Sequence, residues 1–273
     1  MKYGVVLFAT DETIAPAALG PALEERGFES LFVPEHSHIP VSRESPAPTG
    51  GELPRHFHRT IDVFVTLAVV AATTSRLGLG TGVALPAERD VIHTAKQVAS
   101  LDLVSGGRAL FGVGAGWNRE EARNHGVDPR RRGRVLDEKL AAMRRIWTEE
   151  QAEFHGEYVD FDPIWCWPKP VRRPHPPIYV GGESEAALRR LRDHGDAWLP
   201  DTFDVATYRR VRSWLADEGR PDVPFTVFGA DPDALDVTGY EDVGVERIAF
   251  WVDPGPEREV LERLDAIAER WVR

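Results

Sequence analysis

The sequence predicts a (β/α)8 TIM barrel, an α/β fold, with an insertion before strand five. Three observations carry this expectation. Eight short apolar runs can be counted along the chain, whereas an open doubly wound sheet usually closes with about five or six units. Nearly every run is followed by a longer amphipathic segment, and the runs have the apolar character of parallel strands buried on both faces. The length of 273 residues suits one barrel of about 250 residues. Residues 1–273 are therefore read as one domain; a doubly wound sheet with a separate cap is the alternative.

The elements follow in order. Tyr3–Ala9 is an apolar strand, and Ile14–Glu25 is a helix stopped before Gly27, which suits a helix C-cap. Ser30–Val33 is the second strand, ended by Pro34, and Ile61–Ala72 is an apolar helix beyond the polar stretch Glu35–His58. Leu77–Val83 and Arg108–Val113 are strands three and four, with a helix over Val91–Leu103 between them. Arg134–Trp147 places Val135, Leu136, Leu140, Met143 and Trp147 at helical spacing. The insertion, 153–177, opens with a hairpin over Glu153–Phe161. Its second part carries Pro168, Pro170, Pro174, Pro176 and Pro177, which forbid a helix. Strands five to eight are Ile178–Val180, Ala197–Leu199, Pro224–Phe228 and Arg247–Val252. Helices cover Ser184–His194, Val205–Glu218 and Glu257–Val272.

Composition narrows the function classes. A single cysteine, Cys166, excludes an intramolecular disulfide and fits a reducing compartment. The chain shows neither a basic leader with an apolar core nor an 18-residue apolar span, so a cytoplasmic location without membrane contact is expected. A net charge of −11 repels phosphate backbones and argues against nucleic acid. The basic stretch Arg130, Arg131, Arg132 and Arg134 reads as a solvated turn and helix start.

In a barrel, chemistry sits just beyond the C-terminal ends of the strands. Two glycine runs end there, Gly78-Leu79-Gly80-Thr81-Gly82-Val83 and Gly112-Val113-Gly114-Ala115-Gly116. Little side-chain bulk at such a rim leaves room for a large flat ligand; relief of crowding between strands is the bland alternative. Neither run has the spacing of a dinucleotide fingerprint. Gly181-Gly182-Glu183-Ser184 joins strand five to a helix, where free amides and the positive helix end suit a phosphate. A helix capped by Ser184 with no ligand would look the same. His36, after strand two, is the candidate for proton transfer; a loop histidine paired with a carboxylate such as Glu35 is its alternative. Trp117 and Asn118 are candidates for an aromatic wall and a polar contact, and the Trp165–Trp167 patch for a lid or for packing. His36, His38, His56 and His58 lie within one stretch, but no HExxH helix or Cys/His pair accompanies them, and no metal is expected.

Taken together and in order, these segments resemble the luciferase-like monooxygenase superfamily, especially its branch dependent on the deazaflavin F420. The resemblance rests on Gly27-Phe28-Glu29-Ser30-Leu31-Phe32-Val33-Pro34-Glu35-His36 and on Ser75 to Val83. It continues through Lys96 to Asp102, Gly106-Gly107-Arg108, Gly112 to Glu121, and Pro176 to Gly182. It implies a flavin or deazaflavin across the C-terminal mouth, with Thr81, Gly82, Val83, Gly114, Gly116, Trp117, Asn118, Gly181, Gly182 and Ser184 around it. It further implies a non-prolyl cis peptide at Gly82–Val83, His36 beside the reactive ring, and a homodimer formed by helices near strands two and three. The implied activity is F420-dependent hydride transfer to or from a small organic substrate. The alternatives are FMN-dependent oxygenation and cofactor binding without catalysis. Trp117 stands where some F420-dependent sugar dehydrogenases carry a glutamate acid, so that proton-donor role does not transfer to this chain.

Overall fold

A computed structural model describes residues 1–48 and 50–272. Eight parallel strands close into a barrel: β1 (Lys2–Val6), β2 (Ser30–Val33), β3 (Gly78–Thr81), β4 (Ala109–Val113), β7 (Ile178–Gly181), β8 (Ala197–Leu199), β9 (Phe225–Ala230) and β10 (Val245–Trp251). β1 closes the ring by pairing with β10, Lys2 opposite Arg247 through Val6 opposite Trp251. Around the barrel lie α1 (Pro16–Glu25), α2 (Val63–Thr73), α3 (Val91–Val104), α5 (Arg132–Thr148), α6 (Glu185–His194), α7 (Val205–Asp217) and α8 (Glu257–Ile267). Before the fifth barrel strand come a short helix α4 (Arg119–Asn124) and an antiparallel hairpin of β5 (Ala152–His155) and β6 (Asp160–Ile164).

Strand alternation divides the core in two. Val5, Leu31, Leu79 and Phe111 face outward to the helices, meeting Leu19, Leu67, Val98 and Leu140. Val6, Phe32, Leu110, Tyr179, Leu199 and Ala249 fill the barrel interior. This packing accounts for glycines first read as cavity space. A Cβ on Gly80 would strike the Phe32 ring, and one on Gly112 would strike the Thr81 carbonyl. For Gly80 and Gly112 the bland reading is the physical one.

At the closed end of the barrel, Arg247 is 1% exposed. Its guanidinium donates to both oxygens of Glu29, at 2.8 and 2.9 Å, and to the Tyr179 hydroxyl at 3.1 Å. Burial pushes the Glu29 carboxyl up, but the Arg247 hydrogen bond and charge outweigh it and leave the group below its ordinary value.

Several boundaries differ from the sequence expectation. β1 ends at Val6, and the chain beyond it brings Phe8 to the mouth. β3 ends at Thr81, and Gly82–Val83 follows as a cis peptide. α2 begins at Val63 because Asp62 accepts from the amides of Phe64 and Val65. The hairpin starts at Ala152, and Gly156 donates its amide to Val159 in the turn.

Candidate active site

A cavity of about 380 Å³ opens at the C-terminal mouth of the barrel. Its ledge is Val83, turned into the mouth beyond β3. A Cβ on Gly114 would lie 2.6 Å from a Val83 methyl, and one on Gly181 would lie 3.2 Å from the other. The two glycines thus seat the Val83 side chain between neighbouring strands. Any larger residue at Gly114 would push the ledge into the cavity. Gly116, at φ 74°, turns the chain from β4 toward α4 in a conformation that favours glycine.

The walls are largely aromatic. Phe8, Phe57, Phe228 and Trp251 line the cavity together with Trp117 and His36. Phe8 lies 4.8 Å from Phe57 and 5.8 Å from Trp251, ring centre to ring centre. His56 also packs here, 4.7 Å from the Phe8 ring, and burial holds its imidazole below the ordinary histidine value.

His36 is held at both ring nitrogens. Its Nδ1–H donates to Glu121 at 2.7 Å, and its Nε2 accepts the Trp117 indole N–H at 3.2 Å. The Glu121 side chain is fully buried. Burial raises the Glu121 carboxyl, but hydrogen bonds from His36 and from the amides of His38 and Ser37 bring it below its ordinary value. A buried carboxylate of this kind fixes the neutral tautomer with the basic lone pair on Nε2. The carboxylate that meets His36 is therefore Glu121 and not Glu35. Glu35 instead accepts from the Leu85 amide at 2.7 Å and Arg89 Nε at 2.6 Å, tying the chain after β3 to the end of β2. Beside it, burial and the charges of Glu121 and Glu35 push Glu88 up to about 8.

The expected site residues divide in two. His36, Gly82, Val83, Gly114, Gly116, Trp117, Gly181 and Gly182 all line the cavity. The side chains of Thr81, Asn118 and Ser184 are committed to the backbone. The Thr81 hydroxyl donates to the Gly112 carbonyl at 2.6 Å. Asn118 accepts from the amides of Glu120 and Glu121 and starts α4, while Ser184 accepts from the Ala187 amide and starts α6. The glycine pair also differs from expectation, because Gly182 donates its amide to the Leu199 carbonyl at 3.1 Å within the barrel. An anion at this corner is left with the first-turn amides of α6, near Asp201 in the cavity wall and Glu183, whose carboxyl burial and Asp201 push up. Trp165 and Trp167 are exposed, Cys166 is buried, and none of the three lines the cavity.

Sequence reasoning missed Glu121, Phe8, Phe57 and Trp251. For Glu121 the only local signal was its place in the first turn of a helix capped by Asn118. Among the described residues, no three His, Cys, Asp or Glu side chains converge in a geometry for a metal ion. None of the described helices is long and apolar enough to cross a membrane.

The luciferase-like monooxygenase family matches residues 16–230 of the chain. The chain belongs to that family. An uncharacterised protein of Mycobacterium tuberculosis is 43% identical to this family member, over 93% of this chain and 89% of that protein. The FMNH2-dependent dimethylsulfone monooxygenase of Pseudomonas putida is 38% identical over a segment covering 38% of this chain and 29% of that enzyme. Among solved structures, monooxygenase RslO1 from Streptomyces bottropensis superposes with a TM-score of 0.79 at 20% identity, covering 100% of this chain and 99% of that one. An F420-dependent secondary alcohol dehydrogenase superposes with a TM-score of 0.74 at 16% identity, covering 99% and 98%. The fold is thus that of flavin and deazaflavin oxidoreductases and monooxygenases.

Proposed function

We propose that this family member is an F420-dependent oxidoreductase that moves a hydride between the deazaflavin ring and a small organic substrate. The observation that carries this reading is His36, an imidazole in the wall of a sparse aromatic cavity whose tautomer is set by a buried carboxylate. The residues present suit a flat ring. Gly82, Val83, Gly114 and Gly181 would bed it, since the glycines add no side chain beside the Val83 methyls. The amides of Glu185 and Ala186 at the start of α6 would hold its phosphorylated arm. When bound, the deazaflavin supplies hydride chemistry at one ring carbon.

The chain supplies the proton chemistry. An alcohol that gives up a hydride must also lose its hydroxyl proton, and His36 Nε2 is the acceptor; in the reverse direction, His36 returns that proton to a carbonyl oxygen. The Trp117 N–H occupies Nε2 until a substrate hydroxyl displaces it. Phe8, Phe57 and Trp251 exclude water around the reacting atoms.

Titration of the purified protein with F420 and with FMN, followed by fluorescence, tests the cofactor. Micromolar F420 affinity, with FMN at least roughly tenfold weaker, is expected. Micromolar FMN binding without an F420 response would reverse the assignment. The similarity to the dimethylsulfone monooxygenase segment favours that second reading, FMN-dependent oxygenation. Tight binding without turnover across a broad panel of alcohols and carbonyls would favour a non-catalytic role.

The same reading includes a homodimer through α2. Val65, Ala68, Val69 and Ala72 are exposed and share one face of this helix, while Phe64, Leu67 and Val70 face the barrel. An exposed apolar stripe of this kind marks an interface. Light scattering should give twice the chain mass for the native protein, and Val65→Lys with Val69→Lys should give a folded monomer. A native protein that remains monomeric at high micromolar concentration would remove this interface.

A further inference from the structure

We propose that hydrogen bonds running from His36 through Glu121 and Ser37 to His125 carry the reaction's proton between the barrel mouth and bulk water. The inference deepens the proposed function and rests on His36 as its proton-transfer group. Its starting point is isolation. The His36 side chain is only 6% exposed, and the cavity beside it is where ring and substrate would sit. A proton taken up there needs another way out.

The links are continuous. His36 Nδ1 meets Glu121 Oε2 at 2.7 Å, Glu121 Oε1 meets Ser37 Oγ at 3.3 Å, and Ser37 Oγ meets His125 Nε2 at 2.6 Å. Ser37 and His125 are exposed. With Glu35 and Glu88 they line a second cleft of about 230 Å³, which shares Glu35 and Leu85 with the wall of the barrel-mouth cavity. The path therefore begins in the barrel mouth and ends at a surface imidazole.

A side branch closes itself. His38 Nδ1 meets Ser37 Oγ at 2.8 Å, but His38 Nε2 accepts from the Asn124 side-chain amide at 2.8 Å. An amide N–H cannot relay a proton, so His125 is the exit. One assignment satisfies every group at rest. Ser37 O–H donates to Glu121, while His38 Nδ1–H and His125 Nε2–H donate to the two lone pairs of Ser37 Oγ.

The transfer moves one proton and no electrons. As Nε2 receives the substrate proton, Nδ1–H passes to Glu121, and the carboxyl turns to present the proton to Ser37 Oγ. The Ser37 proton then goes to Nε2 of the other His125 tautomer, and Nδ1–H leaves from there to water. Delivery inward reverses each step. The surroundings of the exit favour a readily released proton. Partial desolvation of the ring, with the charges of His38 and Arg89, holds the His125 imidazole below its ordinary value against the pull of Glu121 and Glu35.

Two measurements test the path. In 15N-labelled, cofactor-free protein, exchange of the His36 Nδ1 proton with water should be at least roughly tenfold slower in Ser37→Ala and in His125→Phe. The low-field shift that reports the His36–Glu121 contact should be unchanged. In F420-loaded enzyme at low buffer concentration, kcat should fall in both variants with KM retained, and added imidazole should restore it in His125→Phe. Native exchange rates in both variants, or an unchanged kcat at low buffer, would overturn the path. Because the first measurement needs no cofactor, a protein that fails to bind F420 would sink the proposed function and leave the exchange result to stand on its own.

Discussion

Glu29→Ala is expected to destabilise the fold by about 2 kcal/mol, since it strands a buried cation. Water reaching the site from the Glu29 side, where the side chain is 36% exposed, discounts the usual cost of breaking a buried pair. The stranded group is the Arg247 guanidinium, 1% exposed inside the closed end of the barrel. Glu246, 3.3 Å from Arg247, and the Tyr179 hydroxyl keep part of its interactions, so the cost falls below that of a fully buried pair. In a chain of this size the loss corresponds to a fall in Tm of roughly 4–8 °C. Replacing the cation as well, in Glu29→Ala/Arg247→Met, should recover roughly half of the loss, because no unpaired charge then remains indoors. A double variant no more stable than Glu29→Ala would refute the ion-pair account.

The same group sets a pH dependence. Glu29 is held below its ordinary value of 4.5. Its contribution is therefore complete above that value and is lost as pH falls through the lower folded-state pKa. The Glu29→Ala variant should accordingly show a flatter acid limb in Tm against pH than the native protein.

The barrel was legible because its strands are short apolar runs that cannot be satisfied on a surface. Ser30–Val33 and Ala197–Leu199 match the observed strands end to end. The helix Arg119–Asn124 was not legible. It is short, its sequence REEARN has no apolar stripe, and it depends on Asn118 for its cap. Glycines were legible as a class but not one by one: Gly80 gives way to Phe32, whereas Gly114 gives way to Val83 at the cavity edge. Whether a glycine faces a ring or a neighbouring side chain depends on the register between strands. His36 could be singled out from its place after strand two, yet its partner could not. Glu121 lies 85 residues away, and only closure of the barrel brings the two together. Glu35 was nearer in sequence but is taken by Arg89 and the Leu85 amide.

His36→Ala should lower kcat/KM by roughly 10²–10⁴ with any substrate that the loaded enzyme turns over, the usual range for losing a general acid–base group. Stability should change far less, because the Ser37 amide, 2.9 Å from Glu121, still satisfies the carboxylate. Glu121→Gln separates proton chemistry from packing. A glutamine side-chain amide facing His36 donates where the carboxylate accepted, so the imidazole must carry its hydrogen on Nε2 and loses its basic lone pair on the cavity side. Alcohol oxidation should then fall nearly as far as in His36→Ala, as the wrong tautomer does in acyl-transfer triads. Trp117→Phe provides the contrast. It removes the N–H that competes for Nε2 while keeping an aromatic wall, so KM should move more than kcat. If Glu121→Gln keeps native kcat while His36→Ala abolishes turnover, His36 acts through contact with substrate alone, and neither the tautomer argument nor a proton path through Glu121 survives.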